Sequence, residues 1–285
     1  MLIAGCSLTS LVAEYSTLAD ILTSFRHLYV IGAVGCSIVL FLGRRRLFAS
    51  VAVVAALANF TVVARALPTD SGCEPTLTVL TLNALGPDND VDATEQLLVD
   101  SGADIVVVTE LARALDQRLK QRYAYHFTFP HEGTAGMGVF SRFALSHTSK
   151  EPGEWFPQLL ATANVDGRTI TVLAVHPPPP GLGDSDARRN REIVGIASRV
   201  GSLGRPIIVA GDLNLTRQSP HFQPLLDAGL VDSRIGHGVA GTWPAPLPFR
   251  VGIDHVLHTP ELQTCSLEVS ASVGSDHRPL TARLR

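Results

Sequence analysis

Between Thr76 and the C-terminus seven apolar runs of four to six residues follow one another: Leu77–Leu82, Ile105–Thr109, Gly138–Ser141, Ile170–Val175, Ile207–Ala210, Ile253–Leu257 and Leu280–Leu284. Runs this short and this rich in β-branched residues read as strands with both faces covered. Four segments with helical patterning lie among them, at Asp92–Asp100, Leu111–Gln121, Ser185–Gly201 and Pro220–Ala228. Strands interleaved with helices predict an α/β fold with a layered core.

The residues before Thr76 obey a different rule. Leu28–Leu42 carries no charge, Gly43-Arg44-Arg45-Arg46 interrupts it, and Leu47–Ala64 is again uncharged, which explains a hydrophobic share of 46% against 17% charged. Each run approaches the length of roughly 17 to 25 residues that a bilayer requires, the first by borrowing from Phe25-Arg26-His27. The expectation is a transmembrane hairpin in a membrane segment 1–67, followed by a polar linker 68–75 and a catalytic domain 76–285. A third span from Met1–Ala13 is left open, with Glu14 and Asp20 close behind it. Ile3-Ala4-Gly5-Cys6 looks like a lipoprotein box but lacks a basic n-region. Three arginines in a short turn keep that turn cytoplasmic, so the domain is expected outside the cell membrane, with Arg65 as a weak opposing charge.

The strand runs share a second property: each of several ends in a side chain able to bind metal or move protons. Asn83 follows the first, Glu110 the second, and His176 the fourth, before the stiff Pro177–Pro180 run. Asp212 and Asn214 end the fifth, in Gly211-Asp212-Leu213-Asn214. Asp254 heads the next, in Gly252-Ile253-Asp254-His255, and Asp276 and His277 precede the last, in Gly274-Ser275-Asp276-His277. Alone, each is explained by turn formation or a helix N-terminal charge. Six together point to a site in which carboxylates and amides suit Mg²⁺, or Mn²⁺, with coordination left over for a substrate phosphate. No Cys-x-x-Cys or His-Glu-x-x-His pattern suggests zinc.

In order along the chain, Thr81-Leu82-Asn83, Val108-Thr109-Glu110, Gly138-Val139-Phe140-Ser141-Arg142, Val175-His176, Gly211-Asp212-Leu213-Asn214, Ile253-Asp254-His255 and Ser275-Asp276-His277-Arg278-Pro279 resemble the endonuclease/exonuclease/phosphatase superfamily of metal-dependent phosphoesterases. The Arg-rich hairpin and Thr242-Trp243-Pro244 resemble a bacterial membrane-anchored branch. The resemblance implies a four-layer α/β/β/α sandwich of two mixed sheets with the site at one rim. It implies Glu110 as principal metal ligand with Asn83 and Asp276 beside it. His277, oriented by Asp254, and Asp212 are alternative bases for the attacking water. Asn214 is implied on the phosphoryl oxygens, His176 on the phosphate or leaving group, and Arg142 on the substrate side. Two departures stand out: His255 where a Tyr is frequent, and the proline run in place of a more polar stretch.

The expected function is an outward-facing phosphodiesterase or phosphatase, its substrate a lipid head group, a nucleic acid or a small molecule. No obligate protein partner is inferred. Alternatives are an extracytoplasmic nuclease on DNA and a silent binding protein on the same fold. Beyond Pro68 the chain holds 18 Lys+Arg against 24 Asp+Glu, a net of −6, which disfavours tracking of duplex DNA. Arg188, Arg189 and Arg191 read as a solvated helix face. Cys73 and Cys265 are free to form a disulfide outside the cytoplasm. Substrate choice is expected in the loops Leu85–Val91, Pro130–Gly136, Pro177–Asp186 and Gly236–Phe249.

Overall fold

The structure, a computed structural model, describes residues 9–69, 72–181 and 183–285. The chain start with its Ile3-Ala4-Gly5-Cys6 lies outside them. The strands are β1 (Leu77–Asn83), β2 (Ile105–Thr109), β3 (Tyr125–Phe129), β4 (Met137–Ser141), β5 (Leu145–Glu151), β6 (Gln158–Val165), β7 (Arg168–Val175), β8 (Ile207–Asp212), β9 (Val231–Asp232), β10 (Asp254–His258), β11 (Thr264–Val269) and β12 (Leu280–Leu284). They form two six-stranded sheets, ordered β11-β12-β1-β2-β4-β3 and β5-β6-β7-β8-β10-β9. In each sheet one central pair, β1–β2 or β7–β8, is parallel and the other pairs are antiparallel. Both sheets are therefore mixed.

Alternation along the strands makes the layers. Leu77 and Val79 face inward with Ile105, Val107, Leu159, Ala161, Ile208 and Ala210, forming the core between the sheets. Leu80, Leu82, Val106 and Val108 face outward onto Leu98, Leu115 and Leu119, from α4 (Val91–Asp100) and α5 (Arg113–Arg122). On the other side Leu173, Val175, Ile207 and Val209 meet Ile193, Ile196 and Leu225, from α6 (Ser185–Val200) and α7 (Gln223–Asp227). The result is four layers.

Among the described residues three α-helices precede the domain: α1 (Thr17–Thr23), α2 (Arg26–Leu42) and α3 (Arg46–Val63). The last two fold back on each other about Ala33, Ala55 and Ala56. Among the described residues no single helix is long and apolar enough to cross a membrane; α1 and α2 pass that measure together but are bent by 68°. Among its described residues the segment expected as a linker carries no helix or strand, and it is fastened down beside its start. Thr69 N donates to Gly236 O, while Gly236 N and Gly238 N donate back to Arg65 O and Ala66 O.

A disulfide joins Cys73 to Cys265 on β11 across 192 residues of sequence. A loop that long gains most from closure, so a Cys73→Ser, Cys265→Ser variant is expected to lose about 2 to 5 kcal/mol of stability. Denaturation of the oxidised wild type and of the variant checks this; coincident midpoints would remove the disulfide from the account of stability.

Candidate active site

Strand direction brings the polar endings to one rim. Asn83 pairs with Thr109 across parallel β1 and β2, which places Glu110 next to it. Val175 pairs with Gly211 across β7 and β8, so His176 and Asp212 leave together. Asp254 sits opposite Asp212 on antiparallel β10. Gly211 is required here: its φ is +144°, and a Cβ would lie 1.9 Å from the Val175 carbonyl oxygen. Glu110 (φ 51°) and Asn214 (φ 48°) also occupy the left-handed region, a strain that side chains at functional sites often bear.

The same antiparallel logic corrects one expectation. β4 runs against β2 with Ser141 opposite Ile105, so Arg142 lies at the far rim. Its guanidinium is half exposed and faces Asp104 at 3.7 Å. From there Arg142 does not reach the rim that carries Glu110 and Asp212, contrary to its expected place on the substrate side.

Asn83 Nδ2 donates to Glu110 Oε1 and to Asp212 Oδ2, both at 3.0 Å, while its Oδ1 accepts from Leu85 N. Asn214 N donates to Asp212 Oδ1 at 2.8 Å, and Asn214 Nδ2 to Pro177 O. His277 Nδ1 donates to Asp254 Oδ2 at 2.8 Å, and its Nε2 stands 3.7 Å from Asp212 Oδ2. His176 Nε2 is 3.7 Å from Asp212 and 3.9 Å from Glu110. Gaps of this size are too long for direct hydrogen bonds and short enough for one oxygen in the cavity to contact both groups from the side. Trp243 Nε1 holds Asp276 Oδ2 at 3.0 Å.

Surrounding groups lock these positions. Ser275 Oγ donates to Asn83 O and accepts from His277 N. Arg234, buried, donates to Asp254 O at 2.6 Å and lies 3.1 Å from His255 Nδ1. Burial and then the Arg234 charge lower the His255 pKa to about 4. His255 is thus neutral, accepting at Nδ1 and donating from Nε2 to Leu215 O.

Burial sets the protonation pattern. It raises the Asp212 pKa to about 7, with Asp254 adding to the rise, and it raises Glu110 as well. Burial alone would lower His277, but the carboxylates of Asp254, Asp212 and Asp276 outweigh it and raise it to about 10. Burial and the His277 charge bring His176 down to about 4. At neutral pH His277 is cationic and His176 neutral, stacked on Phe156 at 5.0 Å.

Four carboxylates, of Glu110, Asp212, Asp254 and Asp276, therefore face one imidazolium. Burial raises Glu110 and Asp212 in spite of the His277 charge, which marks anionic charge that one imidazolium does not balance, and the oxygen donors fit a hard divalent ion. Asp212, Asp254 and His277 also converge within 4.8 Å, but a protonated His277 bonded to Asp254 offers no lone pair to a metal.

A cavity of about 470 Å³ opens on this group, lined by Asn83, Glu110, His176, Asp212, Asn214, Asp276 and His277. Asp254 lies behind His277, outside the lining. The loop residues Thr134, Pro179, Pro180 and Trp243 line it too, but nothing from 85–91 does. Ile21, Phe25, Trp155 and Phe156 also line it and were not marked by sequence reasoning. Arg189, read as solvated, is buried, donating to Asp20 Oδ2 at 2.7 Å and to Asn214 O. Its partner lies 169 residues away, beyond any local pattern.

The family model described as "Endonuclease/Exonuclease/phosphatase family" matches residues 80–277, from β1 through His277. The chain belongs to this family. Endonuclease/exonuclease/phosphatase proteins are phosphoesterases, and the chain is an enzyme of that class. In sequence it is 26% identical over 184 residues to the uncharacterized protein YbhP of Escherichia coli strain K12, covering 57% of this chain and 67% of that protein. A humanized TDP2 of D. rerio superposes with a TM-score of 0.62 at 17% identity, covering 73% of this chain and 98% of that one. The 3′ phosphatase NExo of Neisseria, bound to a product DNA hairpin, gives 0.62 at 18%, over 73% and 99%. A mannosyl-6-phosphatase of Bacteroides thetaiotaomicron gives 0.58 at 16%, over 73% and 99%. At such identities the likeness is one of fold.

Proposed function

We propose that the chain is a membrane-anchored, outward-facing, divalent-metal-dependent phosphoesterase that cleaves phosphodiester bonds, or phosphomonoester bonds, by attack of water. The observation that carries this reading is the opposed pair at the rim. A carboxyl raised to about 7, Asp212, and an imidazolium held by Asp254, His277, stand 3.7 Å apart in a cavity that Glu110 also lines. Glu110, Asn83 and Asp276 would hold the Mg²⁺ or Mn²⁺, which supplies neutralisation of charge on the phosphoryl group. With His277 already protonated, Asp212 is the better base for the water. His277 stabilises the charge gathering on the phosphoryl oxygens, Asn214 donates to one of them, and His176 stands ready at the leaving oxygen.

Three observations support the membrane and its side. Ile31, Leu42, Leu47 and Val54 on the helical hairpin are 65 to 75% exposed, an apolar surface that water does not favour. Arg44, Arg45 and Arg46 cluster at its tip. The Cys73–Cys265 bond belongs to an oxidising compartment. Arg188 and Arg191 pair with Asp184 and Glu154, which weighs against a basic track for DNA. Full-length protein in detergent, with Mg²⁺ or Mn²⁺, is expected to hydrolyse at least one of bis-aryl phosphate, aryl phosphate, plasmid DNA and sphingomyelin. Hydrolysis of none would leave the silent-binding alternative, and protection of the domain from protease added to intact cells would overturn the outward orientation.

A further inference from the structure

The catalytic cavity is walled in part by residues that precede the catalytic domain. Ile21 and Phe25, from α1 and the turn into α2, line the same cavity as Glu110 and Asp212. The helix is pinned there by contacts made through side chains. Arg189 joins Asp20 on α1 to the carbonyl of Asn214, Ser24 Oγ lies 3.1 Å from Thr216 Oγ1, and Thr17 Oγ1 donates to Asp186. Asp20 and Arg189 are both almost fully buried. A buried ion pair that loses one member is costly, so the pair selects this docking over others.

The wall so built is largely apolar, because the polar groups that share it are engaged with one another, Asp20 with Arg189 and Ser24 with Thr216. Ile21, Phe25, Leu215 and Val251 line it along with Trp155 and Phe156, and Trp155 and Phe156 continue into the stack on His176. Phosphate, water and cation need none of these side chains. Trp155 is 55% exposed, an aromatic at the margin of the site with more than half its surface open. Arg26 begins α2 directly after Phe25, and α3 returns to Val63 on the same side as Arg65 and Ala66, which bond the domain. The cavity therefore lies at the domain end of the apolar hairpin, opposite its arginine turn.

We propose that the substrate is an amphiphilic phosphate ester whose hydrocarbon chain lies against this wall, so that α1 and Phe25 are part of the substrate site. The inference rests on the phosphoesterase reading and adds to it the chemical class of the esterified alcohol. It commits to a lipid-like ester over a soluble sugar phosphate, which has no apolar surface to offer, and over a nucleic acid, whose bases can stack on Phe25, Trp155 and Phe156 but leave the aliphatic Ile21, Leu215 and Val251 unused.

A matched pair of substrates isolates the hydrocarbon contribution: p-nitrophenyl dodecyl phosphate and p-nitrophenyl methyl phosphate, with the same leaving group and charge. Full-length protein in detergent micelles with Mn²⁺ is expected to favour the dodecyl ester in kcat/KM by tenfold or more, since roughly two buried methylenes suffice for that factor. Ile21→Asn is expected to bring the ratio within about threefold of unity, chiefly through KM for the dodecyl ester. Trp155→Ala, at an exposed position with little bearing on folding, is expected to lower the same ratio. Equal turnover of the two esters by the wild type overturns the inference and leaves the phosphoesterase reading standing. An unchanged ratio in both variants overturns it as well. Turnover of neither ester, with p-nitrophenyl phosphate still hydrolysed, overturns the inference and leaves the phosphomonoester form of the reading; hydrolysis of none of the three overturns both readings together.

Discussion

Replacing Glu110 with alanine is expected to lower metal-dependent turnover by about a thousandfold or more and to leave the domain folded. The side chain lies at the cavity wall, one oxygen held by Asn83 Nδ2, and burial raises its pKa. A carboxyl whose folded pKa is raised is a charge that folding disfavours at neutral pH, so its removal relieves a penalty in the metal-free protein. The thermal midpoint of metal-free Glu110→Ala should therefore equal or exceed that of the wild type. Its rise on adding Mg²⁺ or Mn²⁺ should vanish, because ligand stabilisation requires a site to bind. Thermal unfolding with and without Mn²⁺, beside turnover of the same samples, separates the two effects. A variant that keeps both the metal-dependent shift and wild-type turnover would remove Glu110 from the site.

The residues at this rim were legible in the sequence because each stands where an apolar run stops or starts, and buried strands have abrupt ends. Leu77–Leu82 and Ile105–Thr109 announce Asn83 and Glu110 without help from any partner strand. Strand pairing is not legible in that way, and Arg142 shows the cost. Gly138–Ser141 was found as a strand, but its antiparallel run beside β2, which sends Arg142 to the far rim, is set by a neighbour and not by its own residues. β5, with the sequence Leu-Ser-His-Thr-Ser-Lys-Glu, carries no apolar pattern because it is an edge strand with little to bury. β3 and β11 are also edges. β6 is more central and does alternate, with Leu159, Ala161, Ala163 and Val165 inward and Thr162 and Asn164 outward, but two of its inward residues are alanines, which carry little strand signal. Arg189 illustrates the largest gap. Helical spacing places Arg188, Arg189 and Arg191 close together, yet only the docking of α1 decides that the middle one is buried against Asp20. The wall that this docking adds to the cavity was invisible for the same reason.

His277 and Asp254 allow the charge in the site to be tested apart from its geometry. His277→Ala is expected to lower kcat by on the order of 10² to 10⁴ and to change KM much less, since the imidazolium meets charge that grows in the transition state. Asp254→Asn keeps an oxygen for His277 Nδ1 but removes the negative charge that, with Asp212, holds the His277 pKa at about 10. Without it, burial pulls that pKa back toward or below its ordinary 6.5. Wild-type kcat should rise with pH as Asp212 deprotonates, at or below about 7 once a cation is bound, and hold until pH approaches 10. In Asp254→Asn the alkaline fall should move down toward neutrality, narrowing the plateau from its upper side. Stability follows the same proton. A histidine with a raised folded pKa contributes in full below about 6.5 and loses that contribution as pH climbs toward 10, so the metal-free wild type should lose thermal midpoint across that window and His277→Ala should lose less. If Asp254→Asn keeps the wild-type alkaline limb, the imidazolium is not what the reaction uses, and His277 would have to act as a neutral base in place of Asp212.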